Sequence, residues 1–312
     1  MKPPRRWRVD TGTSSPMRAC VIFNPVAKGD KARHFRAHLT EIGRAATLRE
    51  TRGPGDATAL AGQAVRDGFD TLVAAGGDGT LNEVLNGLAD APGGLAGTRL
   101  GLLPLGTVNV FARELRLPLE PLDAWQVVLR GRETRVDLPR ARWRAGDGER
   151  GRWFCQLAGA GLDARAIELV NWEWKKRIGP LAYVLAGLQA LRERQPTIEV
   201  RAGEARVDGE LALLGNGRLY GGNYALFPAA SLADGRLEVC MFPRVGWLSL
   251  LRVGPALQLR GRLPERAVRR LTAPAATLSS AGRVAFELDG ELVGELPVTF
   301  SLLPGALRVL VP

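Results

Sequence analysis

Between residues 71 and 88 the chain reads TLVAAGGDGTLNEVLNGL, where one carboxylate, Asp78, stands among Gly76, Gly77, Gly79 and Thr80. An apolar run precedes this cluster and a run with helical spacing follows it. Glycines let a phosphate approach the backbone and permit positive φ. A helix N-terminus at the same place adds free N–H groups and the positive end of a dipole. The plain alternative is a strand-to-helix turn with Thr80 as its cap. The cluster has neither the Gly-Lys-Ser/Thr of a Walker loop nor the GxGxxG spacing of a dinucleotide fingerprint.

Two further turns have the same character. FNPVAKG, residues 23–29, ends an apolar run, with the short amide of Asn24 suited to a base or ribose and Lys28 able to reach a phosphate. LLPLGTVNVFAREL, residues 102–115, ends another apolar run, and Gly106 and Thr107 open a helical pattern.

These turns need a frame. From Met17 onward, short apolar runs alternate with helical spacing: RACVIF, then DKARHFRAHLTEIG, ATLRET, GDATALAGQAVRDG, DTLVAA, LNEVLNGLA, RLGLLP and PLDAWQVVLRG. Such alternation implies a parallel sheet covered by helices on both faces, with ligands at the carboxyl ends of its strands. Beyond about Arg135 short strand-like runs separated by turn residues predominate, which suggests an antiparallel sandwich. One helix, KKRIGPLAYVLAGLQALRER, interrupts them. The expected architecture is therefore an N-terminal doubly wound α/β nucleotide-binding domain and a C-terminal antiparallel β-sandwich, with a cleft between them. The boundaries are an arm over 1–16, a first domain over 17–135 that 302–312 could complete, and a second over 136–301.

The bulk properties narrow the class. The chain has 312 residues, 46% hydrophobic and 24% charged, enough for a real core. Its net charge of +11 points to an anionic partner, such as a membrane surface or phosphates, or reflects only a bias toward Arg. Cys20, Cys155 and Cys240 are dispersed and odd in number, which fits a reducing compartment rather than a disulfide framework or a zinc site. No apolar stretch is long enough to span a bilayer, so the expected location is cytoplasmic, with any membrane contact peripheral and on the inner face. No basic stretch interleaved with aromatics argues for nucleic acid. His34 and His38 share a helix face, but no third ligand accompanies them.

Taken in order, NPVAKG, AAGGDGTLNEVLNGL and LLPLGTVNVFAREL resemble the catalytic domain of diacylglycerol kinases, and more narrowly the soluble bacterial lipid kinases of that superfamily. The resemblance continues through GAGLDARAI (159–167), YGGNYALFPAASLADGRLEV (220–239) and FELDGELVG (286–294). It implies ATP bound by Asn24, Pro25, Val26, Ala27, Lys28, Gly29, Thr51, the loop from Gly76 and Gly77 through Asp78, Gly79, Thr80, Leu81, Asn82 and Glu83, and Gly106 with Thr107. It implies Glu291 as the catalytic acidic residue, with Asp289 beside it. It places a structural Mg²⁺ in the second domain at Ser231, Asp234 and Arg236, and a lipid acceptor at a membrane surface; a homodimer is compatible with it. One residue departs from the family pattern: where this chain has Val110, many relatives carry an Asp that joins Asp78 and the Mg²⁺ in a water network.

The chemistry is coherent from below. Phosphoryl transfer needs positioning, charge neutralisation and a group to take the acceptor proton. Asp78 can hold Mg²⁺ against phosphate oxygens, and Glu291 can accept the proton. Read alone, LDGE is a hairpin turn and ADGRLEV an Asx turn. Lys175, Lys176 and Arg177, with Trp172 and Trp174 before them, suit an anionic interface, although core packing is the ordinary reading. The rivals are an NAD-kinase-like enzyme, which shares the GGDGT core, and a nucleotide- or lipid-binding protein without transfer activity.

Overall fold

The computed structural model describes residues 17–25, 27, 29–169, 181–260 and 263–312. The arm over 1–16, Val26, Lys28 and the interfacial reading of Trp172, Trp174, Lys175, Lys176 and Arg177 lie outside the described residues.

Four short runs become parallel strands: β1 (Ala19–Phe23), β2 (Thr47–Glu50), β3 (Thr71–Gly76) and β4 (Arg99–Pro104), ordered β2-β1-β3-β4. Every residue of β1 and β3 is buried, as expected for strands covered on both faces. The covering helices include α1 (Asp30–Ala37), α2 (Leu39–Ile42), α3 (Asp56–Arg66), α4 (Asp78–Asp90), α5 (Gly94–Gly97), α6 (Val110–Glu114) and α7 (Pro121–Arg130). Cys20, Ile22, Leu72 and Ala74 pack with α3 and α4 in one cluster. Val21, Phe23, Val73 and Leu103 pack with α1 and α7 in another.

Helices α3 and α4 meet backbone to side chain. A Cβ on Gly87 would fall on the Thr58 carbonyl oxygen and lie 2.8 Å from the Ala61 Cβ. Gly87→Ala should therefore destabilise the protein by about 1–3 kcal/mol despite its better helix propensity. A lowered urea midpoint checks this; an unchanged one would mean that the helices part freely.

The remaining strands are β5 (Arg132–Ala145), β6 (Gly148–Trp153), β7 (Leu157–Gly161), β8 (Ile198–Ala202), β9 (Ala205–Gly209), β10 (Leu211–Gly215), β11 (Leu219–Tyr220), β12 (Tyr224–Ala225), β13 (Leu237–Phe242), β14 (Arg269–Ala273), β15 (Ala275–Ser280), β16 (Ala285–Leu288), β17 (Glu291–Glu295) and β18 (Val298–Val311). One antiparallel sheet runs β14-β13-β10-β7-β16-β17. Its Ala158, Leu214, Val239 and Phe286 face Val200, Leu278, Val298 and Phe300 of the other sheet in a shared core, the packing of a sandwich.

That other sheet is continuous with the parallel one. β18 pairs in parallel with β4 at Val309↔Leu100 and antiparallel with β5 from Val298↔Trp143 to Val311↔Arg132, with an irregularity between Leu303 and Leu307. β15, β8 and β9 follow on the far side of β18. Two long strands thus tie the nucleotide-type sheet to the sandwich, so the two halves are held by ladder hydrogen bonds rather than by a linker.

Among the described residues the second half also holds α8 (Leu162–Leu169), α9 (Leu181–Ala190) and α10 (Trp247–Arg260), more than the one helix expected. Gly254 and Pro255 lie within α10. Pro costs a helix one internal bond, and here the helix continues through it. The run EARVDGELALLGNG (204–217), strand-like throughout in sequence, divides into β9 and β10, which belong to different sheets.

Candidate active site

β3 delivers the chain to Gly76, and Gly77 is the N-cap of α4, extended at φ −88° and ψ −171°. Asp78, Gly79 and Thr80 are then the first helical turn, not a loop before it. Thr80 is not the cap. Its side chain lies beneath Gly76, where a Cβ would collide with it. The Gly77 side of α4 carries no side-chain cap, so the Gly79 and Thr80 amides, which lack carbonyl partners within the helix, are available to an anion.

The second turn closes against the first. Asn109 takes a left-handed φ of 52°, which Asn tolerates better than most residues. Its Oδ1 accepts from the Gly106 N–H at 3.1 Å and its Nδ2 donates to the Gly106 carbonyl at 2.7 Å. A Cβ on Gly106 would lie 2.6 Å from the Gly77 Cα, so glycine is what lets these backbones touch. The Asn109 and Val110 N–H groups then donate to Asp78 Oδ2 and Oδ1 at 3.0 and 2.9 Å. Asp78 thereby sits at the N-terminus of α6 as well as its own helix. Burial pushes its carboxyl up to about 6, the negative charge of Asp289 adds to this, and the backbone amides of Val110, Asn109 and Asp78 itself oppose it.

Asp289 arrives from the second sheet in the β16–β17 turn, at φ 49°. Its Oδ1 accepts from the Gln156 and Leu157 amides at 2.9 and 3.1 Å, and its Oδ2 from the Cys155 amide at 2.8 Å and Asn82 Nδ2 at 2.9 Å. Four donors use the roughly four acceptor positions of a carboxylate, so Asp289 is an anchor of the turn rather than a free base. Asp78 and Asp289 face one narrow cleft, lined also by Leu81, Val110, Phe111 and Gln156. An adjoining narrow cleft is lined by Gly76, Gly77, Pro104 and Asn109 among others.

Glu291 opens β17, two residues on. Its Oε1 lies 2.7 Å from where a Cβ of Gly79 would be, so a carboxylate of the sandwich stands over the first turn of α4. The turn is steadied from behind. Phe286 meets Trp143 and Phe300 edge-on at 5.3 and 6.3 Å, contacts worth about 0.5–1.5 kcal/mol each beyond burial. Gly79→Ala leaves the helix intact, because only the Glu291 side chain obstructs the new methyl. It should cost about 10- to 10²-fold in kcat through displacement of that carboxylate, with unchanged thermal stability. Unaltered turnover would place Glu291 outside the chemistry.

Other expected contacts sit elsewhere. Glu83 accepts from the Gly55 and Ala57 amides at 2.9 and 3.1 Å, so it caps α3. Asn82 is fully buried and points into the domain junction. Thr51 is buried, with its N–H bonded to the Phe23 carbonyl at 2.9 Å. The first turn is held from outside: Arg36 donates to the Pro25 and Ala27 carbonyls at 3.3 and 2.7 Å, and Ala27 N–H to the Asn24 carbonyl at 3.2 Å. Gly29 caps α1 at φ 102°, and Thr107 is exposed.

At the turn expected to hold a cation, Asp234 Oδ1 accepts from Arg236 N–H at 3.0 Å and Ser231 Oγ from Ala233 N–H at 3.4 Å. The buried Asp137, which sequence reasoning missed, fastens this turn by accepting from the Gly235 and Gly305 amides at 2.6 and 2.7 Å. None of these residues lines the two clefts at Asp78. His34 and His38 do share a face, 5.0 Å apart; no group of three potential ligands occurs among the described residues. Also missed were Arg152 and Glu114. Glu114, on α6, accepts from Gln156 Nε2, Arg218 Nε and the Leu219 amide at 3.1, 3.1 and 2.8 Å. Only distance in the fold marks either one, and no spacing in the sequence reveals it.

The Diacylglycerol kinase catalytic domain model matches residues 18–141, and the YegS C-terminal NAD kinase beta sandwich-like domain model matches residues 156–311. Together they span both carboxylates of the cleft. The chain belongs to the diacylglycerol kinase-like lipid kinase family. It is 35% identical over 306 residues to the "Probable lipid kinase YegS-like" of Pseudomonas aeruginosa (strain UCBPP-PA14), covering 94% of this chain and 93% of that one. It is 30% identical over 305 residues to the diacylglycerol kinase of Staphylococcus saprophyticus, covering 95% of each. A crystal structure of a diacylglycerol kinase from Bacillus anthracis str. Sterne superposes with a TM-score of 0.75 over 96% of this chain and 99% of that one, at 21% identity. This lipid kinase has, among its described residues, no helix long and apolar enough to cross a membrane.

Proposed function

We propose that this lipid kinase transfers the γ-phosphoryl group of Mg-ATP to the hydroxyl of diacylglycerol or a related lipid. The observation that carries the reading is the meeting of Asp78 and Glu291, from different halves of the chain, at the open N-terminus of α4. The uncapped helix end, the Gly76–Gly77 backbone and the Gly106 turn suit phosphates. Asp78 suits a divalent cation, because its burial beside Asp289 leaves negative charge that a cation would offset. Magnesium there would supply charge neutralisation on the phosphates.

Glu291 accepts the proton of the lipid hydroxyl. The acceptor oxygen forms a bond to the γ-phosphorus, the bond from that phosphorus to the β,γ-bridging oxygen breaks, and ADP leaves. Asp289 holds the turn that aims Glu291. Asp234, with the carbonyls of Ser231 and Arg236, offers a second cation one carboxylate and two neutral oxygens, a donor set suited to a hard ion. The enzyme works at the cytoplasmic face of a membrane, where the excess of Arg favours anionic headgroups.

A lipid panel tests this. Purified protein, Mg²⁺ and γ-labelled ATP are mixed with micelles of diacylglycerol, monoacylglycerol, phosphatidylglycerol, ceramide or sphingosine, with NAD in a parallel tube. A labelled lipid supports the reading and names the acceptor; label in NAD alone, or in nothing, ends it. Binding to anionic vesicles should weaken as salt rises; salt-independent binding would remove the electrostatic part.

A further inference from the structure

We infer that Arg152 is a positioning residue that clamps Glu291 over the first turn of α4. The inference rests on the reading of Glu291 as proton acceptor. Arg152 lies on β6, between the segments that the two family models match, and its neighbours define it. Its Nε and Nη2 donate to Asn82 Oδ1 at 2.9 and 2.7 Å, and the same Nη2 donates to Glu291 Oε2 at 2.5 Å. One guanidinium therefore joins a side chain of α4 to the carboxylate that stands over the start of that helix.

The far end of the clamp cannot turn. Asn82 is wholly buried, and its Nδ2 is committed to Asp289 Oδ2 at 2.9 Å and the Trp153 carbonyl at 3.2 Å. Its Oδ1 must then face Arg152, with Asn86 Nδ2 at 3.1 Å on the same oxygen. Asn86 in turn exchanges bonds with Trp153, accepting from its amide at 2.9 Å and donating to its carbonyl at 3.0 Å. The β6 backbone beside Arg152 is thus locked to α4. Arg152 then extends a rigid fork from this locked base toward Glu291. Arg suits the task because its planar donors address two acceptors at fixed angles, which a Lys ammonium on a flexible stem does not.

The pair itself is not a stability device. The Arg152 and Glu291 side chains are 25% and 40% exposed, and ion pairs so open to water contribute little to folding. What the bond restricts is orientation, and a small misplacement of a reacting group is costly in rate.

The test compares wild type, Arg152→Gln, Arg152→Lys, Glu291→Gln and the Arg152→Gln/Glu291→Gln double variant with the lipid found in the panel. Arg152→Gln should lower kcat by about 10- to 10²-fold and leave the KM for ATP within about threefold, with Arg152→Lys recovering part of the loss. In the Glu291→Gln background the same change should cost less than about twofold, because no carboxylate remains to be positioned. An equal loss in both backgrounds, or unaltered kcat in Arg152→Gln, overturns the inference. The Nη2–H resonance of Arg152, the group that donates to Glu291, gives a readout that needs no activity: it should move in Glu291→Gln. If no lipid is labelled but the resonance moves, the kinase reading fails and the clamp stands; if the resonance stays, the clamp is absent whatever the activity.

Discussion

Replacing Glu291 by Gln should lower kcat by about 10²- to 10⁴-fold, the usual contribution of a positioned base, while the protein stays folded. Gln keeps the shape and one acceptor oxygen but cannot take a proton. The β16–β17 turn does not depend on Glu291, because Asp289 holds it through four hydrogen bonds and Phe286 packs beneath it. The KM for nucleotide should change little, since the contacts proposed for ATP lie on the other half of the chain. The check is steady-state kinetics beside a urea melt. Turnover within threefold of wild type would show that the proton goes elsewhere. Asp289→Asn should behave differently: an amide nitrogen would confront backbone N–H donors, so stability falls together with activity.

Asp78→Asn should abolish most of the activity, by about 10²- to 10³-fold or more if the carboxylate holds the cation that neutralises the phosphates. It also has a signature in the cation-free protein. The Asp78 carboxyl is pushed up to about 6 from an ordinary 3.8. Between these values the folded protein keeps a proton that the unfolded chain has lost. The stability linked to Asp78 is therefore full below about pH 4 and is lost as pH rises toward 6. From pH 7 to pH 5 the wild type should gain about 1 kcal/mol relative to Asp78→Asn. Urea midpoints in chelator at the two pH values measure it. Parallel behaviour of the two proteins would mean that the Asp78 environment is not as described. Added Mg-ATP should stabilise the wild type more at pH 7 than at pH 5, since the cation needs the ionised form.

The glycine cluster, the three turns and the two halves were readable because each rests on local chemistry. A phosphate cradle needs missing side chains at fixed spacing, and buried parallel strands need unbroken apolar runs. The helix through Gly254 and Pro255 was not readable, because its packing overrides propensity. Nor was the position of Thr80 inside α4, which depends on where Gly77 caps the helix.

The sequence by itself determined the kind of protein: an α/β half with open turns at its strand ends and a β-rich half; Asp78 stood out by its glycines, and Glu291 only through the family resemblance. Only the tertiary structure decided how those residues are held. It showed that β5 and β18 run through both halves, that Asp289 is saturated by three backbone amides and Asn82, that Glu83 caps α3, and that Arg152 and Asn82 tie Glu291 to α4. The physical reason is separation along the chain. Arg152 and Glu291 are 139 residues apart, and Asn82 and Asp289 are 207 apart. Spacing rules reach across a helix turn or a strand pair, whereas contacts of that range exist only once the sheets have closed on their cores.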